Sequence, residues 1–463
     1  SPLTFTNANW NSAQTVTVTG VDDNIIDGTI TSTITIAVDD ASSDNNFDAV
    51  TDQTVSATTT DNDVAGFTVA QTGGSTSVAE TGTTDTFTIV LNAQPASNVV
   101  LTVTSSDTGE ATVNTPFTFT AENWNTPREV TVTGVDDNII DGTITSTITI
   151  AVDDANSDNN FDPVADQTVS TTTTDDDVAG FTVVESDGST SVSETGTTDT
   201  FTVVLNAQPT SDVVVLAMSS DDTGEATVSG ALTFTNANWN TPQTVTVTGV
   251  DDNLVDGSQV STITISIVDA VSDNDFDAVA DQTVSTTTTD DDVAGFTVAE
   301  TDGSTSVAET GTTDTFTVVL NAQPASNVVL TVTSSDTGEA TVNSPLTFTN
   351  ANWDTPQTVT VTGVDDNLVD GTITSTITIT VDDANSDNNF DPVADQTVSA
   401  TTTDDDVAGF TVAQTDGSTS VAETGTTDTF TVVLTAQPTS NVVLTITSSD
   451  TGEATVNTPL TFT

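Results

Sequence analysis

The stretch Val130–Asn138, which reads Val-Thr-Val-Thr-Gly-Val-Asp-Asp-Asn, decides the fold of this chain. Its first half alternates valine with threonine, the period-two pattern of a strand with one buried face. Its second half turns at a glycine and ends in two aspartates. The string VTGVDDN occurs four times, in steps of 114, 115 and 114 residues, with its first acid at Asp22, Asp136, Asp251 and Asp365. Such a period is too long for a solenoid and suits a sandwich of about 100 residues.

Alternating segments fill the rest of each repeat. Thr86–Leu91 and Val99–Thr104 are β-branched or aromatic, and no window of the chain has the apolar spacing of a helix. The sequence therefore predicts an all-β protein of tandem immunoglobulin-like antiparallel β-sandwiches that form an elongated rod. In the first complete repeat we expect seven strands, near residues 66–71, 86–92, 99–105, 111–120, 128–135, 146–152 and 167–174.

The repeats divide the chain at acidic tripeptides. Complete sandwiches are predicted at 64–177, 178–292 and 293–406, with partial repeats at 1–63, which carries C-terminal strands, and at 407–463, which carries N-terminal strands. Half-sandwiches on their own would expose bare edge strands, so we expect these residues to sample a longer array. The alternative is that the two halves complement each other between chains and build a head-to-tail filament.

Composition excludes several classes of function. The chain has 463 residues, with 69 acids, one Arg or Lys and a net charge of −68. A nucleic-acid-binding protein needs basic residues to displace counterions, so nucleic acid is not an expected partner, and no apolar run predicts direct membrane insertion. The absence of His and Cys removes thiol nucleophiles, imidazole bases and the usual zinc ligands. We expect no enzyme activity.

The acids of each repeat should gather at one end of the sandwich. Strand direction alternates, so the turns after distant strands converge there with the exit tripeptide. Carboxylates that lie close together repel one another unless a cation neutralises them, and Ca²⁺ takes six to eight oxygen ligands in irregular geometry. The plainer interpretation is that aspartates simply form turns and keep the surface solvated. We expect this interpretation to hold for most acids at the opposite end, although Asp269, Asp273 and Asp277 could add ligands at the preceding junction.

The strings ETGTTDTF, SSDTGEATV and NWNTPQTVTVTGVDDN, closed by DDD, resemble the Calx-beta domain, and the resemblance covers every repeat. It implies a calcium cluster at the C-terminal tip of each sandwich. It also implies a cell-surface or adhesin-type protein of bacteria. Carried over position by position, the expected metal ligands are Glu80, Asp107, Asp136, Asp137, Asp141, Asp175, Asp176 and Asp177 in the first complete repeat; Glu194, Asp222, Asp251, Asp252, Asp256, Asp290, Asp291 and Asp292 in the second; and Glu309, Asp336, Asp365, Asp366, Asp370, Asp404, Asp405 and Asp406 in the third.

Two departures from the pattern stand out. The second complete repeat has an extra residue before Asp222, which leaves the ligand there open between Asp221 and Asp222. The partial repeat at the start has Asp61-Asn62-Asp63 as its exit tripeptide, and it lacks the counterparts of Glu80 and Asp107.

The expected function is an extracellular structural or adhesive array, a stalk or fibre stiffened by calcium at the junctions between repeats. Its expected partners are neighbouring repeats of the same chain and other copies in a fibre. The alternative is a glycan- or surface-binding module that uses the one tryptophan in each repeat, since tryptophan stacks well on sugar rings; a tryptophan that recurs once per sandwich is more often a core or loop anchor.

Overall fold

The computed structural model describes residues 2–211 and 213–463. In the first complete repeat, alternation sets the strands, because every second side chain faces the interior. Phe87, Ile89 and Leu91 are buried along one strand, and Thr88 and Val90 between them are only partly covered. The opening partial repeat contributes β1 (Ile30–Ile36) and β2 (Gln53–Thr59), which pair antiparallel, with 3-10 turns at Asp40–Ser42 and Asn45–Phe47.

The strands between Phe67 and Thr174 form a two-sheet sandwich. The strands are β3 (Phe67–Gln71), β4 (Thr76–Ala79), β5 (Thr84–Leu91), β6 (Val99–Ser105), β7 (Ala111–Val113), β8 (Phe117–Phe119), β9 (Arg128–Gly134), β10 (Ile144–Val152) and β11 (Gln167–Thr174), with a 3-10 turn at Asp154–Asn156. One sheet has the order β3-β5-β9-β7 and the other β4-β11-β10-β6-β8. Phe87, Phe119 and Phe161 are fully buried in the core between them. The chain is thus built from immunoglobulin-like sandwiches, as predicted.

Two strand predictions were wrong. The expected strand at 111–120 is two strands, β7 and β8, which belong to different sheets, because the chain crosses over at Asn114–Pro116. Strand β4 was not predicted, since four residues rich in Ser and Thr give too short a pattern. It pairs parallel with β11, so the sandwich is not wholly antiparallel.

The later repeats follow the same order. Residues 178–292 contain β12 (Phe181–Glu185), β13 (Thr190–Ser193), β14 (Thr198–Leu205), β15 (Val214–Ser220), β16 (Ala226–Val228), β17 (Leu232–Phe234), β18 (Gln243–Gly249), β19 (Leu254–Val255), β20 (Gln259–Ile267) and β21 (Gln282–Thr289), with 3-10 turns at Asp269–Val271 and Asn274–Phe276.

Residues 293–406 contain β22 (Phe296–Glu300), β23 (Thr305–Ala308), β24 (Thr313–Leu320), β25 (Gln323–Pro324), β26 (Val328–Ser334), β27 (Ala340–Val342), β28 (Leu346–Phe348), β29 (Gln357–Gly363), β30 (Leu368–Val369), β31 (Ile373–Val381) and β32 (Gln396–Thr403), with a 3-10 turn at Asn388–Phe390. The closing segment has β33 (Phe410–Gln414), β34 (Phe430–Leu434), β35 (Gln437–Pro438), β36 (Val442–Leu444) and β37 (Leu460–Phe462).

No helix among the described residues is long and apolar enough to cross a membrane.

Candidate metal centre and the junctions between repeats

The centre of the acidic site is a buried glutamate. Glu80 follows β4 directly, and its side chain is 1% exposed. Within the described residues neither of its carboxylate oxygens has a hydrogen-bond partner. Burial, and then the negative charge of Asp175 and Asp137, raises the pKa of Glu80 to about 7. A buried carboxylate without a partner is strongly unfavourable, so this side chain needs a proton or a cation.

A glycine brings the acidic loop, residues 136–141, close to this glutamate. Gly134 ends β9, and a Cβ atom built on it would lie 2.0 Å from the carbonyl oxygen of Ala79. Only glycine permits so close an approach of the two backbones. Gly249 and Gly363 meet the carbonyl oxygens of Ser193 and Ala308 in the same way, each at 2.1 Å. The glycine of VTGVDDN therefore places the aspartates that follow it beside the buried glutamate.

Two groups of carboxylates surround Glu80. In each group, one oxygen per residue lies within 4.8 Å of the others: Glu80 with Asp137 and Asp177, and Glu80 with Glu110 and Asp141. Burial, and then neighbouring carboxylates, raises the pKa of Glu110, Asp141 and Asp177. Five carboxylates from distant parts of the chain thus share one end of the sandwich.

Glu110 is the residue that sequence reasoning missed. It is 6% exposed, and its Oε2 has no hydrogen-bond partner among the described residues. The resemblance assigned this turn to Asp107, but Asp107 is exposed and its Oδ1 accepts a hydrogen bond from the Gly109 amide at 3.0 Å. Asp107 therefore shapes the turn, and Glu110 at its end enters the carboxylate group. The available signal was the glutamate that ends DTGE immediately before a buried alanine.

The three aspartates of the exit tripeptide, residues 175–177, make different contacts. Asp175 Oδ2 accepts hydrogen bonds from the amides of Asp141 (3.1 Å) and Gly142 (2.8 Å), and its Oδ1 accepts from the Asp177 amide at 2.7 Å. Asp175 thus ties the acidic loop to the chain exit, and Asp177 reaches the group around Glu80. Asp136 and Asp176 are exposed and lie outside both groups.

The second complete repeat reproduces this arrangement. Glu194 groups with Asp252 and Asp292, and also with Glu225 and Asp256. Burial, and then Asp290, raises the pKa of Glu194 to about 7. The exposed acids Asp251 and Asp291 lie outside these groups, and so do Asp222 and Asp221. Asp222 accepts a hydrogen bond from the Gly224 amide at 2.9 Å within its turn, and Asp221 accepts one from the Thr262 amide of β20 at 2.6 Å.

In the third complete repeat, Glu309 groups with Glu339 and Asp370. Burial, and then Asp404, raises the pKa of Glu309 to about 7. Asp404 repeats the tying role, with hydrogen bonds from the amides of Asp370 (3.0 Å) and Gly371 (2.8 Å). The other predicted ligands differ in their surroundings. Asp406 has a buried Oδ2 without a hydrogen-bond partner among the described residues, and Asp365 and Asp405 are exposed. Asp366 and Asp336 accept hydrogen bonds from the amides of Leu368 and Gly338.

Acids at the opposite end have a different environment. Asp158 is 6% exposed, and it accepts hydrogen bonds from the amides of Ser97 (2.8 Å) and Asn160 (3.0 Å). Burial would raise the pKa of Asp273, but hydrogen bonds from the Ser211 and Asp275 amides lower it instead. Because Asp273 is already satisfied in this way, it has no need of a metal, and the suggestion that it adds a ligand is not supported. These carboxylates hold the turn together.

The same acidic loop also reaches the next repeat. The Gln208 amide donates to the Asn138 carbonyl oxygen at 2.6 Å, and Ile139 and Gln208 form a parallel β-bridge. Ile140 packs against the core of the following sandwich. One loop of six residues therefore supplies carboxylates to its own repeat and an apolar side chain to the next.

The later junction is built in the same way. Strands β19 and β25 pair in parallel across it, and the Gln323 amide donates to the Asn253 carbonyl oxygen at 2.7 Å. Val255 is 8% exposed and belongs to the core cluster of the third complete repeat. The sequence analysis did not predict this pairing.

The tryptophans of the three complete repeats are partly buried, whereas Trp10 of the opening partial repeat is 70% exposed. Trp124, Trp239 and Trp353 pack against the cores of their own repeats. The Trp124 carbonyl oxygen also accepts a hydrogen bond from the Leu91 amide at 3.1 Å. This placement is that of a loop anchor, and it does not favour the alternative of sugar stacking.

No family profile and no curated protein sequence matches this chain. Solved structures that resemble it include an I-band fragment of titin (10% identity, 74% of this chain and 96% of that one, TM-score 0.26). Others are calcium binding domain CBD12 of CALX1.1 (14% identity, 43% and 79%, TM-score 0.20) and protocadherin gammaB7 EC3-6 (14% identity, 81% and 86%, TM-score 0.29). These likenesses carry no argument about function.

Proposed function

We propose that this chain is an extracellular structural or adhesive array whose sandwiches bind calcium at their exit ends and are thereby fixed to one another. The observation that carries the proposal is Glu80. Both of its carboxylate oxygens are buried without a hydrogen-bond partner among the described residues, beside four other carboxylates. The same kind of glutamate recurs at Glu194 and Glu309.

The donor set suits calcium. All five side chains offer oxygen, and they come from four different turns, so the arrangement is irregular. Ca²⁺ accepts such geometry, and Mg²⁺ demands a near-ideal octahedron and keeps several waters. Glu80 would lie between the two groups, with Asp137 and Asp177 on one side and Glu110 and Asp141 on the other. A bound ion would supply the positive charge that this chain, with one basic residue in all, cannot provide.

Calcium would stiffen the array through the acidic loop. Residues 136–141 carry ligands at Asp137 and Asp141, and between them Asn138 and Ile140 contact the next repeat. Mutual repulsion of the carboxylates favours loosening of this loop when no cation is present. Holding both aspartates on one ion would restrict the loop, and with it the contacts across the junction.

The role that follows is mechanical and not catalytic. A sandwich that repeats several times with the same acidic end multiplies length and stiffness. Extracellular calcium modules bind with Kd of about 10⁻⁴ to 10⁻³ M. We therefore infer a location outside the cell, as part of a bacterial cell-surface stalk or fibre, with neighbouring repeats and other copies of the chain as partners.

The test is calcium titration of the whole chain by calorimetry, with thermal unfolding in excess calcium and in excess chelator. The variant E80Q/E194Q/E309Q removes the buried charge from every complete repeat. The matched control is D166N/D281N/D395N, which neutralises three exposed acids outside the carboxylate groups.

We expect the control to bind calcium and gain stability as the unchanged chain does, and the glutamine variant to lose most of both effects. A chain that binds no calcium at millimolar concentrations would overturn the proposal. So would a glutamine variant that binds as well as the control.

A further inference from the structure

One side chain crosses each of two junctions. Asn160 lies in the entrance turn of the first complete repeat, and its Nδ2 donates to the carbonyl oxygen of Ile26, in the preceding repeat, at 3.1 Å. Asn389 occupies the same position in the third complete repeat, and its Nδ2 donates to the carbonyl oxygen of Val255 at 2.7 Å. Both bonds span 134 residues of sequence. Each fastens an entrance turn to the acidic loop behind it.

The middle junction differs by one residue. The segment reads SDNNF in the first and third complete repeats and SDNDF in the second, which places Asp275 where the others have asparagine. The carbonyl group that corresponds to those of Ile26 and Val255 belongs to Ile140. A carboxylate has no hydrogen to donate, so Asp275 and this carbonyl oxygen are two acceptors that cannot bond to each other.

A second difference in the same repeat engages the aspartate. Thr210 occupies the position that alanine holds in the other complete repeats, at Ala96 and Ala325. Its hydroxyl lies 3.1 Å from Asp273 Oδ2 and 3.4 Å from Asp275 Oδ2, and it can donate to either. Asp275 therefore finds a donor within its own repeat instead of across the junction.

Charge acts in the same direction. Burial, and then the charge of Asp273, raises the pKa of Asp275, and Asp175 of the preceding repeat adds to this rise. An uncharged asparagine at this position has no such repulsion across the junction. Among the described residues, the contacts across this junction include the hydrogen bonds from the Gln208 amide to Asn138 and from the Ile140 amide to Gln208, the Ile139–Gln208 bridge and the packing of Ile140.

We propose that the junction between residues 64–177 and 178–292 is a compliant joint, and that it opens more readily than the two joints fastened by asparagine. The hydrogen bond that it lacks corresponds to a change of about five-fold in the ratio of open to closed arrangements. The array is therefore not uniformly stiff, and it bends at a position set by Asp275 and Thr210. This inference does not depend on calcium binding.

The test is a distance distribution between spin labels in the full chain, which has no cysteine of its own. Labels at T118C and T233C span the middle junction, and labels at T233C and T347C span the next one. These three threonines are exposed and hold equivalent positions in their strands. We expect a broader distribution for the first pair, both in calcium and in chelator.

Exchanging the residues should exchange the behaviour. D275N/T210A should narrow the first distribution, and N389D/A325T should broaden the second, by the same factor of about five in the open population. Each variant uses residues that another repeat already carries, and melting temperatures will show that it folds. Equal widths at both junctions, or widths that these exchanges leave unchanged, would overturn the proposal. Failure of calcium binding alone would not.

Discussion

The two ends of a repeat bury carboxylates equally well but treat them in opposite ways. Glu80 at the exit end and Asp158 at the entrance end are 1% and 6% exposed. Asp158 accepts two backbone hydrogen bonds, and Glu80 accepts none among the described residues. Burial alone therefore does not identify a binding site. The supply of donors does, because a carboxylate that the protein already satisfies has no need of a cation.

The largest effect should come from breaking the exit end itself. G134A would place a methyl group 2.0 Å from the Ala79 carbonyl oxygen, so β9 and β4 would have to separate. We expect a loss of about 3 kcal/mol or more in the free energy of unfolding, together with loss of calcium binding in that repeat. Chemical denaturation measures the first effect and calorimetry the second. The control is G142A, where a Cβ has open space but φ is +73°, so a smaller strain is expected. Equal losses in both variants would contradict the clash.

At the entrance end, removing a hydrogen-bond acceptor should lower the free energy of unfolding. D158A leaves the amides of Ser97 and Asn160 without their acceptor, which costs about 1–3 kcal/mol for each buried group that water cannot reach. We expect the free energy of unfolding to fall by about 2–3 kcal/mol, by the same amount with and without calcium. A calcium-dependent loss would mean that this aspartate also serves the metal.

The next largest effect should be the gain in stability that calcium gives at the exit end and not at the entrance end. With a Kd of about 10⁻⁴ to 10⁻³ M and 10 mM free calcium, each occupied site should stabilise its repeat by about 1.4–2.7 kcal/mol. Substituting E80Q should remove this gain from the first complete repeat, and it should leave the metal-free chain as stable as before or slightly more stable, because it removes an unpaired buried charge. A marked loss of stability in chelator would indicate a different structural role for Glu80.

The smallest effect should be that of pH on the metal-free chain. Glu80, Glu194 and Glu309 have pKa values raised from 4.5 to about 7 in the folded state, so between these values the folded chain binds more protons than the unfolded one. Stability should therefore fall as pH rises from about 4.5 to about 7. We expect a few degrees in Tm, because ionised glutamates relax and take up water.

Two measurements check this dependence of stability on pH. It should become flatter when calcium is bound, and it should also become flatter in the variant E80Q/E194Q/E309Q. The entrance end should behave in the opposite sense. Because the pKa of Asp273 is lowered in the folded state, its contribution is present above its unfolded pKa of 3.8 and is lost as pH falls below that value. A metal-free chain whose Tm is flat from pH 4.5 to 7 would contradict the exit-end interpretation.

The fold was largely predictable because its signals are local and repeated. Val–Thr alternation and the period of VTGVDDN are enough to predict tandem sandwiches. Strand β4 escaped because four residues carry little pattern, and its parallel partner lies about 95 residues away along the chain. The crossing at Asn114–Pro116 escaped because β7 and β8 each continue the same alternation, although they join different sheets.

The site was only partly predictable for a related reason. The structure brings Glu80, Asp137, Asp141 and Asp177 of the predicted set together. Glu110 was missed because both acids of DTGE fit a turn, and only the packing decides which of them faces inward. The pairing across junctions left no local signal, since Asn138 and Gln208 contribute backbone groups that any sequence could offer.

Burial of Val255 in the core of the following sandwich gives the array a direction. Each repeat places one of its own side chains against the hydrophobic core of the repeat that follows, so the C-terminal end of one repeat forms part of the surface on which the next one folds. A chain that emerges N-terminus first presents each new repeat with a neighbour that has already folded. Folding then proceeds from the N-terminus, and each repeat packs against the one before it.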